Sequence, residues 1–153
     1  MVKILDVRFN QLIHVIDTLN STLDRRLVKC STEDAAAYIN FDYFPVDRDK
    51  CRLSVTIDKN PPYLLTVNIG RKIFYEEYEG QALPDANYLD ELIKIVMGGR
   101  VLEKETFFWG RCVIYSGSVI INGYDDILVV KKLMPYFLVS SGNEKIYSYK
   151  SWF

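Results

Sequence analysis

Apolar residues recur at Leu5, Phe9, Leu12, Ile16, Leu19 and Leu23, at intervals of 4, 3, 4, 3 and 4 residues. This is the period of an amphipathic helix with one face packed along its length. Ile13 and Val15 widen the stripe, and the pattern predicts a helix over residues 5–26. Two partners could cover such a face, the protein's own sheet or a second copy in a coiled coil. A stripe this broad favours the sheet, and the chain is expected to be a monomer. A second helical period occupies LPDANYLDELIKIVMGG, residues 83–99, with apolar positions at Leu89, Leu92, Ile93 and Val96. Pro84 and Asp85 are start signals and Gly98-Gly99 is a stop, so the second helix is expected over residues 85–97.

Elsewhere the period falls to two. Tyr38 to Phe44, Cys51 to Ile57, Leu65 to Ile69 and Lys72 to Glu79 alternate as strands, with breaker-rich turns such as Asp58-Lys59-Asn60-Pro61-Pro62 and Gly70-Arg71 between them. Four strands on short connections read as an antiparallel meander. Ser31-Thr32-Glu33-Asp34 before Ala35-Ala36-Ala37 resembles a capping box and predicts one helical turn ahead of the first strand. After the second helix, Val101 to Trp109 reads as a strand that Gly110 breaks. Cys112 to Tyr115 and Ser118 to Ile121 are expected to flank a hairpin at Ser116-Gly117. Asn122 to Asp126 is expected to form a turn before Ile127 to Lys131, and Tyr136 to Ser140 to pair with Lys145 to Tyr149 around Ser141-Gly142-Asn143-Glu144. No linker or repeat interrupts the run. The expected fold is one α+β domain over residues 1–153, a large curved antiparallel β-sheet with two amphipathic helices packed on it.

Charge then narrows the partners. With 19 basic against 20 acidic residues, and no basic run longer than the pairs Arg25-Arg26 and Lys131-Lys132, nucleic acid is not expected as a partner. Lys3, Asp6 and Arg8 interrupt the N-terminal segment, and the longest apolar run, Leu133 to Val139, is too short to span a bilayer, so no membrane association is expected. Cys30, Cys51 and Cys112 are widely spaced without a CxxC, which fits reduced thiols and a cytoplasmic location better than a disulfide frame or zinc site. Cys51 and Cys112 are expected to be packed, and Cys30 accessible.

Catalytic signatures are missing from this pattern. Gly98-Gly99-Arg100 follows a helix instead of opening one, the reverse of a phosphate loop. His14, the only histidine, falls opposite the helical seam, at a solvent-facing position. Asp47, Asp49 and Asp58 lack the spacing of a calcium loop and read as turn residues. Paired carboxylates for acid–base work need one buried and one exposed. Asp42 and Glu105 lie in strands, but their neighbours' alternation points both outward. The chain is therefore read as a non-enzyme, with no catalytic residues, cofactor or metal.

One cluster stands apart. Glu76, Glu77, Tyr78, Glu79, Asp85, Tyr88, Asp90 and Glu91 gather carboxylates and tyrosines, and no Lys or Arg lies between Tyr75 and Glu91. Acids near a helix start complement its dipole, for about 0.3–1 kcal/mol each. That accounts for Asp85 and Asp90 but not for the glutamates on the preceding strand. The cluster is read as a docking patch, with tyrosine anchors and carboxylates that steer a basic partner. A small Tyr-rich, acid-bearing chain of this kind, without a catalytic set, resembles the bacterial immunity proteins of polymorphic toxin and contact-dependent growth inhibition systems. The resemblance lies in general character and carries over no family residue. It implies a one-to-one complex with a cognate toxin domain, a nuclease whose basic cleft the acidic surface would occlude. The alternative is a small-ligand-binding or accessory domain whose curved sheet is lined by Phe41, Tyr43, Phe74, Phe107 and Trp109.

Overall fold

Both helical periods form helices in the computed structural model, which describes residues 2–60, 64–71, 73–78, 86–121, 124–132 and 143–153. Helix α1 spans Val2–Thr22 and helix α2 spans Ala86–Met97. The seam of α1 is buried at Leu12, Ile16, Leu19 and at Leu23 just beyond it, while Phe9, Ile13 and Val15 pack at its margins and His14 faces outward. The side chain of Leu5 lies outside the described residues.

α1 stops short of residue 26 for a local reason. The hydroxyls of Ser21 and Thr22 donate to the carbonyls of Thr18 and Leu19. Asp24 then closes a turn, its carboxylate accepting from the Arg26 N–H and its carbonyl accepting from Leu27 and Val28. These side-chain bonds offer the backbone an alternative to another helical turn. α2 ends as its glycines require. The Arg100 N–H reaches the Ile95 carbonyl and the Gly99 N–H reaches that of Val96, the paired bonds of a Schellman motif, with Gly99 at φ 70°. A Cβ on Gly99 would stand 2.6 Å from the Lys150 carbonyl carbon, so the same glycine admits a crossing backbone.

The strands form two antiparallel sheets. The first is a five-stranded meander of β1 (Val28–Asp34), β2 (Tyr38–Pro45), β3 (Leu53–Asp58), β4 (Leu64–Ile69) and β5 (Ile73–Tyr78). Ser31 to Asp34 do not form the helical turn that their capping-box pattern predicts. These residues are strand, paired in register from Val28↔Pro45 to Asp34↔Ile39, because the ladder to β2 outweighs a local cap. The second sheet has the order β8-β7-β6-β9, from β6 (Val101–Phe108), β7 (Arg111–Ile121), β8 (Tyr124–Lys132) and β9 (Asn143–Ser148).

No hairpin forms at Ser116-Gly117. β7 runs straight through, and the register against β8 shifts after Gly117, where Leu128 of β8 is the extra residue of a bulge. A second shift, between Thr106 and Phe107, adds to the twist of the same sheet. The expected strand Tyr136 to Ser140 lies outside the described residues, as do Pro61-Pro62, Asn122-Gly123 and Ser141-Gly142 of the expected turns. Tyr124 to Asp126 and Asn143-Glu144, expected as turn, are instead strand, drawn into the ladders to β7 and β6.

β5 comes alongside β7 and β8, bringing the two sheets together. The core fills the space beneath α1 and α2, with Phe41, Tyr43, Leu53, Val55, Ile57, Leu65, Val67 and Ile69 from the first sheet and Val101, Tyr115 and Val119 from the second. Trp152 joins it, fully buried and tilted against Tyr43 at 6.2 Å between ring centroids. Its indole N–H donates to the Cys51 carbonyl (2.9 Å) and its backbone N–H to the Met97 carbonyl (2.8 Å). The three cysteines are unbridged; Cys51 is buried, and Cys112 is half-buried like Cys30, more open than its strand position implied. Among the described residues no helix is long and apolar enough to cross a membrane.

The fully buried positions of α1 give a direct test of its packing. Leu12→Ala or Ile16→Ala is expected to lower unfolding free energy in denaturant by about 2–5 kcal/mol without changing the oligomeric state. A dimer falling apart into stable folded monomers would instead assign the seam to a subunit interface.

Candidate functional site

β6 begins one residue after the α2 cap, which fixes which of its faces turns inward. Val101, Glu103 and Glu105 share that face, and all three are buried, the glutamates to 1% and 3% exposure. The outward placement expected for Glu105 is thus corrected. Leu102 and Phe108 on the opposite face mimic an inner side in sequence, but hydroxyl donors inside the fold make the carboxylates the buried set.

The Glu103 Oε1 accepts from the Arg71 backbone N–H (2.7 Å) and from the Tyr149 hydroxyl, and its Oε2 accepts from the Tyr115 hydroxyl (2.9 Å). The Glu105 Oε2 accepts from the Tyr147 hydroxyl (3.1 Å). A buried carboxylate is costly unless hydrogen-bonded, and these donors supply the compensation. Burial pushes the Tyr115 and Tyr149 hydroxyls well above the usual tyrosine range, and the charge of Glu103 adds to the effect, so both stay protonated and donate. Burial raises the Cys51 thiol likewise, with Glu103 contributing.

Gly70 belongs to this cluster. It turns β4 into β5 at φ 63°, and a Cβ there would lie 2.1 Å from the Glu103 Oε1. Only glycine tolerates both the backbone angle and the approach.

On the solvent side of the cluster lies a cleft of about 840 Å³ between the β2–β3 loop and β9. Arg48 and Arg52 stand on one wall, Ile146 and Tyr147 on the other, and Gly70 and Arg71 between them. The Arg71 guanidinium sits 4.2 Å from the centroid of the Tyr147 ring, and that of Arg52 sits 5.6 Å from the centroid of Phe44. Asp47 and Asp49 occupy the same loop. The Asp47 carboxylate accepts from the Asp49 N–H, and the Asp49 carboxylate is paired with Lys150 at 2.9 Å. Asp58 closes the far end of β3, so the three aspartates do not gather.

A second feature projects from the β6–β7 turn. Trp109 and Gly110 form a two-residue loop with φ of 50° and 74°, the signs of a type I′ hairpin turn. Trp109 is 90% exposed and stacks on Phe108 at 5.3 Å between centroids. Alternation alone extends the strand through Trp109, but β6 ends at Phe108, which pairs with Arg111. The usable signal was Gly110, since a residue followed by Gly between two strands is a hairpin signature.

The sequence-derived docking residues distribute as follows. Glu79 and Asp85 lie outside the described residues, as do the side chains of Glu76, Glu77 and Tyr78. The β5 backbone sets Glu76 opposite Thr66 and Glu77 opposite Leu65, positions on alternate faces of the sheet. Tyr88 is half-buried against the core. Asp90 pairs with Lys94 at 2.6 Å and Glu91 approaches the same ammonium at 3.7 Å. The next helical turn therefore supplies a cation that the acid-only run lacked. The aromatic lining expected for an internal pocket does not converge either: Phe41 and Tyr43 are core, Phe107 lies beneath Lys145, and Trp109 is in solvent. The side chain of Phe74 lies outside the described residues.

The raised tyrosines set an alkaline limit on stability. A hydroxyl whose folded value exceeds its unfolded value of about 10 contributes fully below that pH, and the contribution is lost as pH rises toward the folded value. Stability is therefore expected to fall with pH above about 10. Tyr115→Phe and Tyr149→Phe should each flatten that fall, at the expense of about 1–3 kcal/mol at neutral pH, where Glu103 loses a donor. Denaturant midpoints from pH 8 to 11.5 provide the check, and parallel curves for variant and parent would refute the assignment. Compared with family models, with curated proteins and with solved structures, the chain finds no match.

Proposed function

We propose that the chain is a protein-binding module of the immunity type, which binds a cognate toxin domain, a nuclease with a basic cleft, and neutralises it by covering its active site. Its action is binding, without catalysis of its own. The observation that carries the binding reading is Trp109. An L-residue in the left-handed region costs about 1–2 kcal/mol, and a type I′ turn prefers Asn or Gly at this position. A large indole held in solvent there contributes neither burial nor an easy turn. Tryptophan is the residue most enriched among interface anchors, and backbone strain collects at functional positions. Stacking on Phe108 limits the motion of the ring before a partner arrives, which lowers the entropy lost on docking.

Two further features fit this reading. Glu103 and Glu105 are both buried and both engaged by tyrosine hydroxyls, unlike an acid–base pair with one buried and one exposed member. The sequence from Glu76 to Glu91 is acid-rich and free of Lys and Arg, a charge suited to attracting a basic cleft, although Lys94 offsets its helical end at Asp90 and Glu91.

Trp109→Asn is expected to raise stability by about 0.5–1 kcal/mol, because Asn adopts the left-handed turn more readily, while weakening partner binding by about tenfold or more. The partner is obtained by purifying the tagged chain from its native cells and identifying the co-eluting protein, expected to be a toxin domain with a basic cleft. Glu76→Lys should slow association with it at low salt and have little effect at high salt. A co-eluting protein without toxic activity would overturn the immunity reading. Full affinity of the Trp109→Asn variant would move the interface away from this turn.

A further inference from the structure

We propose that the cleft between the β2–β3 loop and β9 is a binding site for a small organic phosphate, on a surface separate from the Trp109 turn. Its volume, about 840 Å³, lies within the range of small-molecule sites. The cationic side chains lining it are Arg48, Lys50, Arg52 and Arg71, against the carboxylates of Asp47 and Asp49. Two positive charges are therefore in excess, the complement of a phosphomonoester dianion.

The carboxylates are already engaged, Asp49 by Lys150 and Asp47 by the Asp49 N–H, and the Lys50 ammonium donates to the Trp152 carbonyl (2.7 Å). The guanidinium groups of Arg48, Arg52 and Arg71 pair with no carboxylate among the described residues.

Arg71 is the best-placed of them because it is fixed from two directions. Its backbone N–H is tied to the buried Glu103, and its guanidinium lies on the face of Tyr147, whose hydroxyl is tied to the buried Glu105. Stacking on an aromatic ring leaves the edge N–H groups of a guanidinium free, and that edge matches two oxygens of a phosphate. The cleft also offers an organic group somewhere to rest. Val46 and Ile146 on its rim are apolar and exposed, at 58% and 62%. A phosphate at the arginines would leave an attached apolar or planar group against these side chains.

Phenyl phosphate is a suitable probe, titrated calorimetrically into the full chain at fixed ionic strength, with benzoate and inorganic phosphate as comparators. Saturable one-to-one binding is expected for phenyl phosphate, with weaker binding of both comparators. Arg71→Ala should weaken it by about tenfold or more, and Arg71→Lys should not restore it, because an ammonium lacks the planar fork. Arg48→Ala, on the exposed loop and outside the buried cluster, should weaken binding without altering the melting temperature. Arg26→Ala and Trp109→Asn should leave it unchanged, so failure here is distinguishable from failure of the immunity reading. Absence of saturable binding, binding by Arg71→Ala and Arg48→Ala as tight as that of the parent, or benzoate binding as tightly as phenyl phosphate would each overturn the proposal.

Discussion

The carboxylate of Glu103 is the point on which separate parts of this fold converge. It comes from β6 and accepts hydrogen bonds from the β4–β5 turn at Arg71, from Tyr115 on β7 and from Tyr149 beyond β9. A charged group in such a place is costly by itself, and removing its partners would leave the cost uncompensated. The arrangement therefore restricts its neighbours. Residue 70 has to be glycine because the carboxylate fills the space a Cβ would take, and Gly117 stands directly across the β6–β7 ladder from Glu103. The first sheet is thereby tied to the second through a side chain in addition to apolar packing. The same bond holds the Arg71 backbone at the cleft, and its guanidinium rests on Tyr147.

Much of the fold is legible in the sequence where the deciding interactions are local. The two helical stripes, the Gly98-Gly99 stop and the alternating runs of β2 to β6 carry their own periods, and each forms the expected element. Readings failed where a distant partner outweighs a local cue. Ser31 to Glu33 contains a good cap, yet the β2 ladder makes it a strand. Ser116-Gly117 is a good turn, yet pairing with both β6 and β8 carries the chain through it. Alternation along β6 could not identify its inner face, because the hydroxyls that make burial of Glu103 and Glu105 tolerable arrive from residues 115, 147 and 149.

The two binding features differ in the same respect. Trp109 violates a local rule, a bulky side chain in a turn that favours Asn-Gly, and such a violation can be seen once the strand ends are known. The cleft has no sequence signature, since its walls come from residues 45–52, 70–71 and 146–149 and acquire meaning only when folded together. The acid-rich segment is the converse case. It is conspicuous as sequence, but Lys94 answers its helical end, and the strand pleat divides Glu76 from Glu77.

The Trp152 anchor bears on the order in which the fold can assemble. Its indole reaches the Cys51 carbonyl across 101 residues of chain, and its backbone N–H occupies the Met97 carbonyl. Until that segment leaves the ribosome, the space beneath Tyr43 lacks its largest side chain and two carbonyls wait for donors. Synthesis at about 5–20 residues per second is slow beside the formation of hairpins and helices. The meander and α1 therefore have time to associate early, with their core still open at one end. Closure is a late, long-range step of high contact order, of the kind that slows folding. A nascent chain halted before Trp152 would remain a collapsed intermediate with its apolar interior accessible to chaperones.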